Sequence, residues 1–177
     1  MVDQDAPPIP YDSMGFDPRL EAGFHSLGFD GTRPVQGAVI PIALEGHDVV
    51  ACAETGTGKT LAFAVPIIER LLSATPGYGD PAREAYTRAL ILAPTRELAV
   101  QIEDSIVGLT YNTPVTSAAV FGGVEMGPQE RALQAGVDIV VATPGRLMDH
   151  MRHSNTDFVR VDVLVLDEAD RMMDMGF

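Results

Sequence analysis

The sequence predicts an α/β protein, a parallel sheet with helices on both faces. Three observations predict it. Short apolar runs alternate with helix-length stretches five times along the chain, the pattern of strands joined by helical crossovers. The run Val49–Cys52 leads through a glycine turn, Ala53–Gly58, into an apolar-periodic stretch from Lys59 to Leu72. That is the strand–loop–helix order of a phosphate-binding loop. The run Val163–Leu166 delivers Asp167, Glu168, Ala169 and Asp170 at its C-terminal end, the edge where open α/β sheets bind ligands.

Each element follows from local chemistry. Asp17 caps a helix that has Pro18 at its first position and runs to about Leu27. Arg33-Pro34 opens a second, to about Leu44, and Gly46-His47-Asp48 turns into the strand Val49–Cys52. The helix after Lys59 contains Pro66, which removes one hydrogen bond and kinks it. Ser73–Thr87, with Pro76, Gly77, Gly79 and Pro81, reads as a surface loop. Ala89–Leu92 is a strand, and Thr95 caps a helix to about Leu109. Val115–Phe121 is a strand ending at Gly122-Gly123, followed by a short helix over Gln129–Ala135. Asp138–Val141 is a strand, Thr143 caps a helix to about Arg152, and Val163–Leu166 reads as a buried parallel strand.

Length and composition bound the rest. The 177 residues make one domain over 11–177, preceded by a short flexible arm, Met1–Pro10, with two aspartates and three prolines. The arm has no basic, apolar leader character, and no 18-residue apolar run exists to cross a membrane. Cys52 stands alone and forms no internal disulfide, which fits a reducing, cytoplasmic setting, with the nucleus open in a eukaryote. It reads as a small buried apolar residue. Twenty-five acidic against 12 basic residues give a charge of −13, which opposes a broad basic face for nucleic acid.

The chemistry gathers at two places. Lys59 is the one lysine among those 12 cations, a compact ammonium suited to act as a point charge on phosphate. Gly56 and Gly58 let the backbone turn so that its N–H groups face phosphate oxygens. The helix opening at Lys59 adds a positive dipole end. Lys59 reaches the β- and γ-phosphates in this reading, and the Thr60 hydroxyl ligates Mg²⁺. Ala53, Thr55 and Thr57 complete the loop, although the strict pattern asks for glycine at position 53. Asp167 can hold Mg²⁺ through water, and Glu168 can orient or deprotonate an attacking water. His150 and His153, beside Asp149, lack a third metal ligand nearby and fit a solvated helix end. Met172, Met173 and Met175 read as apolar packing.

With these residues in hand, the chain resembles the DEAD-box ATP-dependent RNA helicases, whose signature tetrad stands at 167–170. The resemblance implies a RecA-like P-loop NTPase domain, ATP and Mg²⁺ as ligands, and RNA as substrate. That family's loop itself begins with alanine, as at Ala53. Gly28-Phe29 followed by Pro34-Val35-Gln36 resembles its Q motif, where Gln36 would read adenine through its amide. Tyr11, seventeen positions before Gly28, would stack on the base. Pro94, Thr95 and Arg96, continuing to Gln101, resemble motif Ia; Gly122-Gly123 matches the glycine doublet; Thr143, Pro144, Gly145 and Arg146 resemble motif Ib. These contact the RNA backbone in the family. Arg33 departs from the pattern, which more often reads Pro-Thr-Pro where this chain has Thr32-Arg33-Pro34.

The resemblance also sets limits. Only two arginines, Arg96 and Arg146, plus backbone N–H groups serve the RNA here, and the family binds RNA between two RecA-like domains. Phe177 stands ten residues after Asp167, whereas the family continues with a Ser-Ala-Thr strand and a second RecA-like domain carrying arginine fingers. That strand's absence is expected to leave a gap between the loop strand and the acidic strand, and Asp170 loses its partner. The expectation is an RNA-dependent ATPase as the parent protein and a partial nucleotide-binding lobe here, with the second domain as partner and no membrane. An ATP-gated RNA clamp, an enzyme on DNA and a P-loop kinase remain alternatives. The last is disfavoured by the acidic tetrad and the Thr143–Arg146 segment.

Overall fold

The computed structural model describes residues 6–73, 84–153 and 158–177. The centre of the expected surface loop, 74–83, and residues 1–5 of the arm lie outside the described residues. Two compact units divide the chain: Met1–Gly79 with Gly108–Pro114, and Asp80–Val107 with Val115–Phe177.

The first unit is helical. It contains a 3-10 turn, Tyr11–Ser13, then α1 (Pro18–Leu27), α2 (Pro34–Leu44) and α3 (Lys59–Ser73). Asp17 caps α1 as the sequence implies, its carboxylate accepting from the Arg19 N–H at 2.9 Å and pairing with the Arg19 guanidinium at 2.7 Å. That side-chain bond, more than any other cause, holds the Asp17 carboxyl below its usual range. Gly23 lets the backbone at Leu109 approach, for a Cβ there would lie 2.3 Å from the Leu109 carbonyl oxygen. Leu20, Phe24, Ile40, Val65 and Ile68 are fully buried. The arm is tied down where it is described: Ile9 exchanges hydrogen bonds with Thr32, and Pro10 bridges to Gly31.

One expected strand is missing. Residues 49–52 form no strand, Val50 is 96 % exposed, and Cys52 is exposed rather than buried. A four-residue run becomes a strand only when a neighbour takes up its N–H and C=O groups, and no described strand pairs with this one.

The second unit holds the sheet. Its strands are β1 (Ala89–Leu92), β2 (Ser117–Val120), β3 (Ile139–Ala142) and β4 (Val163–Leu166), all parallel, in the order β2-β3-β1-β4. The helices are α4 (Arg96–Thr110), α5 (Met126–Gln134), α6 (Pro144–His153) and α7 (Ala169–Asp174). The last turn of α4 counts with the first unit. Leu90, Val120, Leu133, Val140, Ala142 and Leu147 form one apolar cluster. β3 is buried on both faces, as an interior parallel strand should be.

The acidic strand differs from expectation. β4 is parallel but lies at the sheet edge, and Leu164 and Leu166 on one face are 58 % and 52 % exposed. α5 begins three residues early because Pro128 is tolerated in a first helical turn. α7 was not expected at all; it buries Met172 but leaves Met173 68 % and Met175 52 % exposed, so only one of the three methionines packs inside.

Candidate functional site

In the first unit, the glycine loop is fastened by side chains. Gly56 and Gly58 have φ of 84° and 95°, a left-handed region that glycine enters without strain. A Cβ at Gly58 would also meet Gln36 Nε2 at 2.5 Å. Lys59, the first residue of α3, sends its Nζ back to donate to the Ala53 carbonyl at 2.5 Å. Gln36 Nε2 donates to the Gly58 carbonyl at 3.0 Å, and Arg33 Nη1 to the Gly56 carbonyl at 2.6 Å. The Thr57 hydroxyl donates to the Glu54 carbonyl at 2.7 Å. Four of the loop's carbonyls are thereby held, which orients the peptide units between them. Thr55 is exposed at the turn, and Thr60 is the second residue of α3.

Gln36 is the hub. It is buried, and its Oε1 accepts from the Tyr11 hydroxyl at 2.8 Å and from the Arg33 backbone N–H at 2.7 Å. Both acceptor positions of the amide are thus used within the protein, while Nε2 spends one of its two hydrogens on Gly58. The amide therefore offers a base edge a donor, not the donor–acceptor pair expected from the sequence. Tyr11 also differs from expectation. Its ring is 1 % exposed and stacks on Phe24, centroids 4.1 Å apart at 10°. It supports Gln36 rather than presenting a face to adenine. Burial pushes the Tyr11 phenol up to about 12, against the opposing pull of the Arg33 charge.

In the second unit, the candidate residues sit where strands end. Asp167 continues the β1–β4 ladder by donating its N–H to the Leu92 carbonyl at 2.9 Å; it is buried, and its Oδ1 accepts from the Glu168 N–H at 3.1 Å. Glu168 is the one described non-glycine residue with positive φ (49°), a conformation that costs on the order of 1–2 kcal/mol. Strain of that kind persists when the surroundings enforce it, here between β4 and the start of α7. Arg171 pairs with the Glu168 carboxylate at 3.2 Å.

The expected RNA contacts come together after β1, β2 and β3. Pro94 is buried and Thr95 Oγ1 accepts from the Leu98 N–H at 3.3 Å, capping α4 as expected. The Arg96 guanidinium lies over the Phe121 ring at 5.0 Å. Gly123 has φ of 84°, and a Cβ there would touch Arg96 Nη1 at 3.4 Å; Gly122 has an ordinary φ and nothing within 4 Å. Arg146 Nη1 donates to the Val124 carbonyl at 3.0 Å. One loop, 121–124, therefore receives both arginines. Thr143 donates its N–H to Val120 and accepts from Leu147, and Pro144 and Gly145 open α6.

Three residues escaped sequence reasoning. Phe121 had the look of a strand's last residue, yet it carries Arg96. Gln129 is buried, and its Nε2 donates to the Phe121 carbonyl at 3.1 Å. Arg33 registered only as a departure from a family pattern. His150 is a correction: it is 1 % exposed, not solvated. Burial, then the Arg146 charge, holds its imidazole below its usual range, and Glu130 and Asp149 oppose that. His153 stays exposed, its Nδ1 2.8 Å from the Asp149 carbonyl.

A glycine loop opening a helix, and a parallel sheet with acids and arginines beyond its C-terminal strand ends, define a P-loop α/β protein. The sequence profile of the family described as DEAD/DEAH box helicase matches residues 33–177, and the chain belongs to that family. It is 45 % identical over its whole length to the ATP-dependent RNA helicase RhlB of Xanthomonas oryzae pv. oryzae, covering 31 % of that protein. It is 47 % identical to the ATP-dependent RNA helicase DRS1 of Eremothecium gossypii, with 94 % of this chain and 22 % of that protein aligned. To DEAD-box ATP-dependent RNA helicase 40 of Arabidopsis thaliana it is 44 % identical, with 97 % of this chain and 15 % of that protein aligned. The chain thus spans less than a third of the length of these curated relatives.

Proposed function

We propose that the protein carrying this chain binds and hydrolyses ATP with Mg²⁺ and uses the cycle to open or remodel RNA duplexes, with residues 11–177 as its nucleotide-binding lobe. The observation that carries this reading is the bonded set Tyr11–Gln36–Gly58, with Arg33 on Gly56 and Lys59 on Ala53. A buried amide is fastened to a glycine loop that also holds an ammonium. Such an arrangement lets base and phosphates be sensed by one unit. The relatives' names, ATP-dependent RNA helicase, support the same reading.

Lys59 binds the β- and γ-phosphates, with the backbone of Ala53, Thr55, Gly56, Thr57 and Gly58 around them. Thr60 offers a hydroxyl oxygen and Asp167 a carboxylate oxygen, the hard donors Mg²⁺ takes alongside phosphate and water. Held there, Mg²⁺ would supply charge neutralisation for the transferring phosphoryl group. Glu168, held in place by backbone and Arg171, orients the attacking water. Arg96 and Arg146, which both contact the 121–124 loop, bind RNA phosphates without reading sequence. A cytoplasmic setting and the second RecA-like domain as partner belong to the proposal.

The test is RNA-stimulated ATP hydrolysis and strand separation by the intact protein. Lys59→Ala should abolish both. Robust ATP-dependent strand separation by residues 1–177 alone would contradict the lobe reading, because arginine fingers from elsewhere are expected to supply several powers of ten in rate.

A further inference from the structure

We infer that Arg33 is a positioning residue for the phosphate loop, a side-chain strut that holds the apex of the loop in its nucleotide-ready shape. The inference rests on the nucleotide reading above and deepens it.

Arg33 stands at the N-cap of α2, with φ −80° and ψ 161°. Helices favour Ser, Thr, Asp or Asn there because the side chain must accept a hydrogen bond from the first turn. A guanidinium has no acceptor, so Arg33 leaves that half of the cap unmade; Gln36 still returns the reciprocal bond to the Arg33 N–H at 2.7 Å. A residue that breaks a local rule marks a position where something else is gained. What is gained here is the 2.6 Å bond from Nη1 to the Gly56 carbonyl, at the turn where φ is 84°. The Arg33 stem also runs along the loop, its Cδ 3.0 Å from where a Gly58 Cβ would be.

The loop is exposed at Glu54–Gly56 and has no strand partner. Its shape therefore depends on four side chains: Lys59 on Ala53, Thr57 on Glu54, Arg33 on Gly56 and Gln36 on Gly58. Gln36 and Lys59 grip the two ends, Thr57 grips the Glu54 carbonyl from within the loop, and Arg33 reaches in from α2 to grip Gly56. A threonine at this position would restore the cap and reach no carbonyl of the turn. Pre-ordering a phosphate-binding backbone removes part of the ordering cost of binding.

The test compares the intact wild-type protein with Arg33→Thr and Arg33→Lys. Amide exchange over residues 54–58 is followed in the nucleotide-free state, and binding of a fluorescent ADP, ATP and GTP is titrated. Arg33→Thr should speed exchange at these amides and weaken all three nucleotides alike by about three- to tenfold, the scale of one partly exposed charge-assisted bond. Arg33→Lys should recover part of both. The ATP-to-GTP ratio should not move, since the base is read elsewhere. Unchanged exchange, or tighter binding by Arg33→Thr, would overturn the inference. Should the wild-type protein bind no nucleotide, the proposed function falls, and the exchange comparison still decides whether Arg33 orders the loop.

Discussion

The phosphate loop and the 121–124 loop both pair glycines with cations, yet they are held by different means. The phosphate loop hangs on side chains: Lys59, Gln36 and Arg33 each grip one of its carbonyls. The 121–124 loop follows directly from β2 within a ladder that runs β2-β3-β1-β4, and side chains only finish it. A loop built on side chains is sensitive to single substitutions. A loop built on a ladder spreads the load, so each contact there contributes little.

The contrast is sharpest at the glycines. Gly58→Ala should lower ATP affinity by about a hundredfold, the scale of an ångström's misplacement, because its φ is 95° and its Cβ would collide with Gln36. Gly122→Ala should leave stability within about 0.5 kcal/mol, with nothing near its Cβ. Calorimetric titration and urea unfolding of both variants decide this; equal losses would break the comparison.

Gln36→Ala comes next. It removes the amide that joins Tyr11, Arg33 and Gly58, and should weaken ATP about tenfold and GTP clearly less, since both lose the grip on Gly58 and only ATP loses recognition of its base. Equal losses for the two nucleotides would mean that Gln36 serves only as a brace, a possibility made concrete by its two occupied acceptor positions.

Phe121→Ala and Gln129→Ala should each reduce RNA affinity by about two- to fivefold, the worth of an exposed cation–π contact, with ATP affinity unchanged. Filter binding across a salt series reads this out. A tenfold loss from either would show that the 121–124 loop depends on side chains as much as the phosphate loop does.

The smallest effect concerns pH. Burial and the Arg146 charge keep His150 below the ordinary imidazole value of about 6.5. As pH falls through that value the unfolded chain takes up a proton that the folded chain resists, so stability declines on the acid side. His150→Gln should lack that part of the decline, seen as a smaller shift of the urea midpoint between pH 7.5 and 5.5. An identical pH profile would remove His150 from the account.

Much of the fold was legible. Asp17-Pro18, Arg33-Pro34 and Thr95 marked helix starts because caps and N-terminal prolines act within four residues. β1, β3 and β4 were legible as short apolar runs. What failed was burial and pairing. Val49–Cys52 has the same composition as a strand, but an apolar run cannot specify its own neighbour. Leu164, Leu166, Met173, Met175 and Cys52 were expected inside for their chemistry and stand exposed, while His150 was expected outside and is covered.

By itself, the sequence determined the loop, its lone lysine, the acid tetrad and the arginines, because those depend on residue identity and short spacing. It also determined the family. Only the tertiary structure decided that Tyr11 braces Gln36 instead of facing a base, that Phe121 carries Arg96 while Gln129 holds the Phe121 carbonyl, and that Arg33 reaches the turn at Gly56. Each of those contacts joins residues between 8 and 25 positions apart. Packing, not local propensity, selects which of many possible partners a side chain meets.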